Sequence, residues 1–190
     1  MSFVIGIDPS MTSTGIVVVD KEGFVASTTV VSKNTGNYVL QRMNRIHFLV
    51  RKIRDYCEGF PPEHICIEDY SYSSISSNLT QMAEFGGILR YVLTRVWQVT
   101  EIAPTNLKKH TTGKGMWKGG GKTPMIVALT KRHGVELAND DLYDAFGLAL
   151  MARQIVGWEQ PATAYEREAI DVAVNGRPKK KARKRNGEEG

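Results

Sequence analysis

Phe3 to Ile7 is a short apolar run that closes on Asp8, and the turn-forming stretch Pro9 to Gly15 separates it from the β-branched run Ile16 to Val19. Gly23 lies three residues beyond Asp20, and a further β-branched segment runs from Phe24 to Val31. The chain is therefore expected to open with an antiparallel meander of three strands. From Asn37 to Glu58 the apolar period lengthens. Val39, Met43, Ile46, Val50 and Ile53 step by four and three, while Arg42, Arg45, Arg51, Lys52 and Arg54 fall largely elsewhere, a pattern that predicts an amphipathic helix.

Pro61 and Pro62 end the connection, and His64 to Ile67 reads as a buried strand that delivers Glu68. A serine-rich loop containing Tyr70 and Tyr72 follows. A second helix is predicted from Asn78 to Trp97, with Leu79, Met82, Gly86, Leu89, Leu93 and Val96 on one face. Gly86 and Gly87 inside it each cost about 1 kcal/mol relative to alanine, so a close approach is expected, either to a second copy of the helix or to the chain's own sheet. Gln98 to Ile102 forms a strand, Pro104 starts a short helical turn, and a glycine-rich stretch from Gly113 to Gly121 precedes a helix from about Thr123 to His133. Asn139 or Asp140 can cap a last core helix running to about Val156. This order fits an α/β fold with a mixed sheet flanked by helices. Residues 1–158 are read as one domain and 159–190 as an extension. Its first part is rich in Glu, Arg and Ala and can be helical, and its basic end is expected to be disordered.

Charge alters this picture through its location. Residues 177–190 hold seven of the 25 basic and two of the 20 acidic residues, which leaves 18 of each sign in residues 1–176 and a neutral body. Within that body, residues 102–135 carry Lys108, Lys109, Lys114, Lys118, Lys122, Lys131 and Arg132 with no Asp or Glu among them, a footprint suited to phosphate contact or simply to a solvated loop. No apolar run approaches the roughly 20 residues that span a bilayer, and the N-terminus lacks a secretory signal pattern, so a cytoplasmic protein without membrane contact is expected. Cys57 and Cys66 are too few for a disulfide framework and read as reduced packing residues. Four scattered histidines offer no zinc spacing.

Four acidic residues fall at element ends: Asp8 and Glu68 close apolar strands, and Asp141 and Asp144 lie three apart on one face of the last core helix. Each alone has an ordinary explanation as a turn residue, a strand-end charge or a favourable first-turn charge. Gathered together, four carboxylates repel one another unless divalent cations share the site, which is the arrangement two-metal phosphodiester hydrolysis requires. Asp140 with Asp144, at i and i+4, is a possible alternative pair.

The segment Ile5-Gly6-Ile7-Asp8-Pro9-Ser10-Met11-Thr12-Ser13-Thr14-Gly15 resembles the opening signature of the RuvC family of Holliday-junction resolvases. Ile65-Cys66-Ile67-Glu68 resembles the family's second carboxylate strand, and Ile102-Ala103-Pro104-Thr105-Asn106-Leu107-Lys108-Lys109 its Pro-x-x-hydrophobic-Lys segment. Asp141-Leu142-Tyr143-Asp144-Ala145 resembles its Asp-x-x-Asp-Ala helix. The resemblance implies a ribonuclease H-like mixed five-stranded sheet flanked by helices, a homodimer, and paired nicks across four-way or branched DNA. It implies two Mg²⁺ ions per site, replaceable by Mn²⁺ and held by Asp8, Glu68, Asp141 and Asp144. Lys122 and Lys108 would stabilise the transition-state charge, with Lys109, Lys114 and Lys118 as further DNA contacts. Tyr70 or Tyr72 would stack on a junction base, although either can instead be a packing residue. The insertion Gly115 to Gly121 departs from the family pattern at Lys122.

Other readings carry less of the chain. The Gly6-Ile7-Asp8 segment with Thr12, Thr14 and Gly15 also resembles the first phosphate loop of actin-like ATPases, which need two such domains. A Walker A loop at Lys122 would require glycine where Met116 stands, so no nucleotide cofactor is expected. A non-catalytic DNA-structure-binding module and a less selective branched-DNA or flap endonuclease stay open as alternatives.

Overall fold

The computed structural model describes residues 1–33, 36, 38–70, 79–116 and 123–176. Its elements are β1 (Phe3–Asp8), β2 (Ser13–Val19), β3 (Phe24–Val31), α1 (Val39–Gly59), β4 (Pro62–Glu68), α2 (Leu79–Thr94), β5 (Gln98–Ile102), α3 (Pro104–Thr112), α4 (Thr123–His133), α5 (Asp140–Ile155) and α6 (Ala164–Asn175). The sheet order is β3-β2-β1-β4-β5. The meander β1-β2-β3 is antiparallel, and β4 and β5 run parallel to β1.

Alternation along the central strands sorts side chains between two cores. Ile5, Ile7, Ile16, Val18, Ile65 and Ile67 face a cluster shared with α1 and α2. Val4, Val17, Val19, Cys66 and Ile102 face the other side, where α5 lies with α3, α4 and α6 around it. The sheet is thus covered by helices on both faces. Residues 142–152 of α5 are all buried, as an all-round apolar helix at the centre of a core must be. Both cysteines are free and buried, and burial pushes the Cys57 thiol up to about 12, consistent with packing.

The helical faces differ in detail from those the periodicity predicts. In α1, Arg45 is buried rather than on the polar face. Its guanidinium donates to Ser32 Oγ at 2.7 Å, to Ser32 O at 3.3 Å and to Met11 O, so neutral oxygens of the β1–β2 loop and the end of β3 satisfy a charge that would otherwise be costly. Val39, assigned to the apolar face, is exposed. In α2 the buried set is Phe85, Gly86, Leu89 and Leu93. Leu79 and Val96 are exposed, and the helix ends at Thr94.

The segment after Trp158 is helical and docked. α6 packs on α3, with Ala169 fully buried, and Asn106 Nδ2 donates to Ala169 O at 2.8 Å. Glu168 pairs with Lys109, and Glu166, itself buried, accepts from Arg132 Nη1 at 2.7 Å. The acid-free stretch 102–135 is therefore not a uniformly available basic surface, because α6 neutralises two of its cations.

Candidate active site

Strand parity determines where the first two carboxylates face. Asp8 shares a face of β1 with Val4 and Gly6, and Glu68 shares a face of β4 with His64 and Cys66. Val4 and Cys66 belong to the α5 side, so both carboxylates are carried on that side. The parallel pairing Ile7↔Ile67 then sets them next to one another at the carboxyl ends of neighbouring strands. Asp8 is buried and Glu68 half-buried.

Two glycines let α5 complete the site. A Cβ on Gly6 would overlap the backbone of Ala145 and Ala149, and one on Gly15 would overlap the carbonyl of Asp141. Gly15 is the register partner of Asp8, so this close approach lays the first turn of α5 beside the end of β1. Asn139 caps the helix: its Oδ1 accepts from Leu142 N at 3.0 Å, while its Nδ2 donates to Thr29 Oγ1 at 3.1 Å on β3. Of the two capping residues the sequence allows, Asn139 takes the role.

Asp144 is buried and Asp141 half-buried, and Ser13 Oγ on β2 donates to Asp141 Oδ2 at 2.6 Å. Asp140 is exposed. The backbone thus brings the carriers of Asp8, Glu68, Asp141 and Asp144 to the carboxyl ends of the central strands β1 and β4, although no three His, Cys, Asp or Glu side chains among the described residues form a ready-made metal cage. The donor chemistry is oxygen only, which suits a hard divalent cation rather than zinc or copper.

The basic segment begins beside these strand ends. Ile102 pairs with Glu68, and Pro104 begins α3 two residues later, which sets the helix N-terminus by the second carboxylate. Lys108 is half-buried one turn along, Lys109 is held by Glu168, and Lys114 is exposed beyond Gly113, whose φ of 77° closes α3 in the left-handed conformation. Lys118, Lys122 and Tyr72 lie outside the described residues. Tyr70 packs: its ring lies 4.2 Å from the Arg90 guanidinium and its hydroxyl donates to Ala83 O at 3.3 Å.

Sequence reasoning missed Ser13, Arg45 and Arg90. Ser13 was legible only as a turn residue, and the two arginines only as helix-surface charges. Their tertiary partners lie 128, 34 and 22 residues away in the chain.

Residues 4–152 match the family model described as crossover junction endodeoxyribonuclease RuvC. The chain belongs to the RuvC family. A RuvC crossover junction endodeoxyribonuclease of Neorickettsia sennetsu is 29% identical over 160 residues, covering 78% of this chain and 92% of the relative. The structure of RuvC from Thermus thermophilus superposes with a TM-score of 0.59 at 19% identity, over 78% of this chain and 91% of that one. The same protein in complex with a Holliday junction substrate gives 0.61 at 19%, over 79% and 92%. These likenesses bear out the ribonuclease H-like fold. RuvC membership makes this chain a nuclease that resolves Holliday junctions, of a family that depends on divalent metal. The family match ends inside α5, so α6 lies beyond it. No helix among the described residues is long and apolar enough to cross a membrane.

Proposed function

We propose that this RuvC chain resolves four-way DNA junctions in the cytoplasm by paired symmetric nicks, as a homodimer, using two Mg²⁺ ions for which Mn²⁺ can substitute. Asp8, Glu68, Asp141 and Asp144 hold the ions. The observation that supports this most is the convergence of two carboxylates at the ends of neighbouring central strands with the first turn of α5. Bound cations supply charge that offsets the phosphate and lowers the pKa of the attacking water. The chain's own residues do the rest. The carboxylates fix the cation positions, and Lys122 with Lys108 stabilises charge building on the scissile phosphate. Lys109, Lys114, Lys118 and whichever of Tyr70 and Tyr72 can reach a base hold the junction arms. Among these, the Glu168 partner of Lys109 and the Arg90 contact of Tyr70 favour Lys114, Lys118 and Tyr72 as the main contacts.

Two copies of one site in fixed relation are what paired incision requires. The outward stripe of α2, with Ala83, Gly87 and Tyr91 at four-residue spacing and Ile88 beside them, is exposed and supports a helix-to-helix interface. Residues 1–158 form the nuclease domain, and 159–190 an extension whose basic end, 177–185, adds sequence-independent attraction to DNA.

The test uses end-labelled four-way junction, flap and linear duplex, each with and without Mg²⁺. Asp8→Asn, Glu68→Gln, Asp141→Asn and Asp144→Asn should each abolish most cleavage while leaving junction binding intact, because phosphate contacts carry affinity. Retained cleavage in Asp8→Asn or Glu68→Gln would overturn the site. Equal cutting of flap and junction would make the enzyme a general branched-DNA endonuclease.

A further inference from the structure

The end of β4 and the two residues that follow it are held by one side chain of α2. Arg90 is largely enclosed, its side chain 13% exposed. Its Nη2 donates to the backbone carbonyl of Glu68 at 2.9 Å and lies 3.9 Å from Asp69 Oδ1, and its face stacks on the Tyr70 ring at 4.2 Å. Three consecutive residues, beginning with a candidate metal ligand, thus contact one guanidinium. The remaining donors fix the guanidinium itself: Nη1 donates to Gly86 O at 3.1 Å, one turn back in α2, and Nε to the carboxylate of Glu101 on β5.

The local sequence is shaped around this contact. A Cβ on Gly86 would strike both the Arg90 guanidinium and the Tyr70 ring, so the glycine makes room for the stacked pair. Asp69 N continues the β4–β5 ladder to Ile102 O at 2.9 Å, and Asp69 Oδ1 accepts from Tyr70 N at 2.7 Å. After that the backbone leaves the sheet. Glu68 is therefore the last residue of its strand whose carbonyl a side chain can hold in place, and a planar fork with fixed donor directions suits that task better than a flexible ammonium.

We infer that Arg90 is a positioning residue that fixes the backbone of Glu68, and with it the direction of the Glu68 carboxylate, from α2. This rests on Glu68 being a metal ligand, as proposed above. It also makes α2 a lever on the site, since the exposed Tyr91 is the next residue along the helix.

The experiment compares wild type, Arg90→Lys, Glu101→Gln and Glu68→Gln by four measurements. These are Mn²⁺ binding to the DNA-free protein by electron paramagnetic resonance, junction affinity in Ca²⁺, single-turnover cleavage at saturating Mg²⁺, and thermal melting. Arg90→Lys should weaken Mn²⁺ binding and slow cleavage by about 10-fold or more, the scale seen when the partners that orient metal ligands are removed, with junction affinity preserved. Glu101→Gln should move Mn²⁺ binding in the same direction by less, because the bonds to Glu68 and Gly86 remain. Wild-type Mn²⁺ affinity and rate in Arg90→Lys overturn the inference. So does lost junction affinity with an unchanged single-turnover rate, which would make Arg90 a DNA contact. Should Arg90→Lys fail to fold, unchanged Mn²⁺ affinity in Glu101→Gln overturns it. Inactive Glu68→Gln beside a normal Arg90→Lys removes this inference alone, whereas active Glu68→Gln removes the reading of the site and this inference with it.

Discussion

Ser13 Oγ donates to Asp141 Oδ2 across 2.6 Å, joining the first residue of β2 to the first turn of α5. Two residues further along the same face of β2, Gly15 lies against the Asp141 carbonyl, so Asp141 is held through both its side chain and its backbone. Asp140, one residue earlier, projects outward. This asymmetry predicts that Asp141→Asn abolishes cleavage while Asp140→Asn leaves it nearly intact. Ser13→Ala should raise the Mg²⁺ concentration needed for half-maximal rate by about 10-fold, and Ser13→Thr should restore it. An unaltered Mg²⁺ dependence in Ser13→Ala, measured across a full titration, would show that the hydroxyl does not orient a ligand.

Gly6 and Gly15 predict a stability effect that accompanies any displacement of Asp141 and Asp144. The atoms a Cβ would meet are backbone atoms of α5, which cannot step aside as a side chain can, and α5 is the centre of one of the two cores. Gly6→Ala and Gly15→Ala should each cost about 3 kcal/mol or more, at or beyond the usual range for overpacking. For a chain of this size the melting temperature should fall by roughly 2–4 °C per kcal/mol. Differential scanning calorimetry gives the answer, and an unchanged transition in Gly15→Ala would mean that α5 does not need this approach.

Much of this molecule is legible in the sequence because the signals are local. β5 and α4 fall where alternation and breaker residues place them, and the strand-end position of Asp8 is visible from one apolar run and one proline. The helix faces were less legible. Arg45 in α1 was placed off the apolar face because periodicity ranks residues by type, whereas the fold buries an arginine when carbonyls of a distant loop receive it. The docking of α6 was hidden for a related reason. Its composition shows only that it can be helical, and not that α3 and α4 place Lys109 and Arg132 against its acidic residues.

That docked helix makes acid sensitivity predictable. Burial alone would raise the Glu166 carboxyl, but the Ala162 N–H, His110, Arg132 and Gln154 together hold it below the usual carboxylate range. His110 and His133 are lowered, chiefly by burial, with Arg132 adding to the effect and Glu159 and Glu166 opposing it. All three groups therefore bind protons more weakly folded than unfolded, so their contributions are complete at neutral pH and are lost in acid. Stability should decline as pH falls below about 6.5 for the histidines and further below about 4.3 for Glu166. Melting temperatures from pH 7.5 to 4 test this, and His110→Gln should flatten the upper limb. Constant stability between pH 7 and 5 would show that these histidines charge without cost.

The adjacent glycines of α2 separate two roles that their sequence cannot distinguish. Gly86 is buried beneath Tyr70 and Arg90, whereas Gly87 is exposed, and among the described residues a Cβ on it would meet only the Tyr70 hydroxyl, at 3.9 Å. The close approach that explains Gly86 is thus to the chain's own Tyr70, neither to the sheet nor to a second helix. Among the described residues Gly87 has no such partner, and it stands in the exposed stripe with Ala83, Ile88 and Tyr91, where a small residue admits a neighbouring helix. Gly87→Leu should therefore shift the protein toward monomer in sedimentation velocity and convert paired incision of a junction into single nicks, with little change in the melting of each protomer. Gly86→Leu should instead lower the melting temperature and slow cleavage through displacement of Arg90 and Tyr70, whatever the state of association. If Gly87→Leu remains a dimer and still makes paired nicks, the interface lies elsewhere on the molecule, and α2 acts on the site only through Arg90.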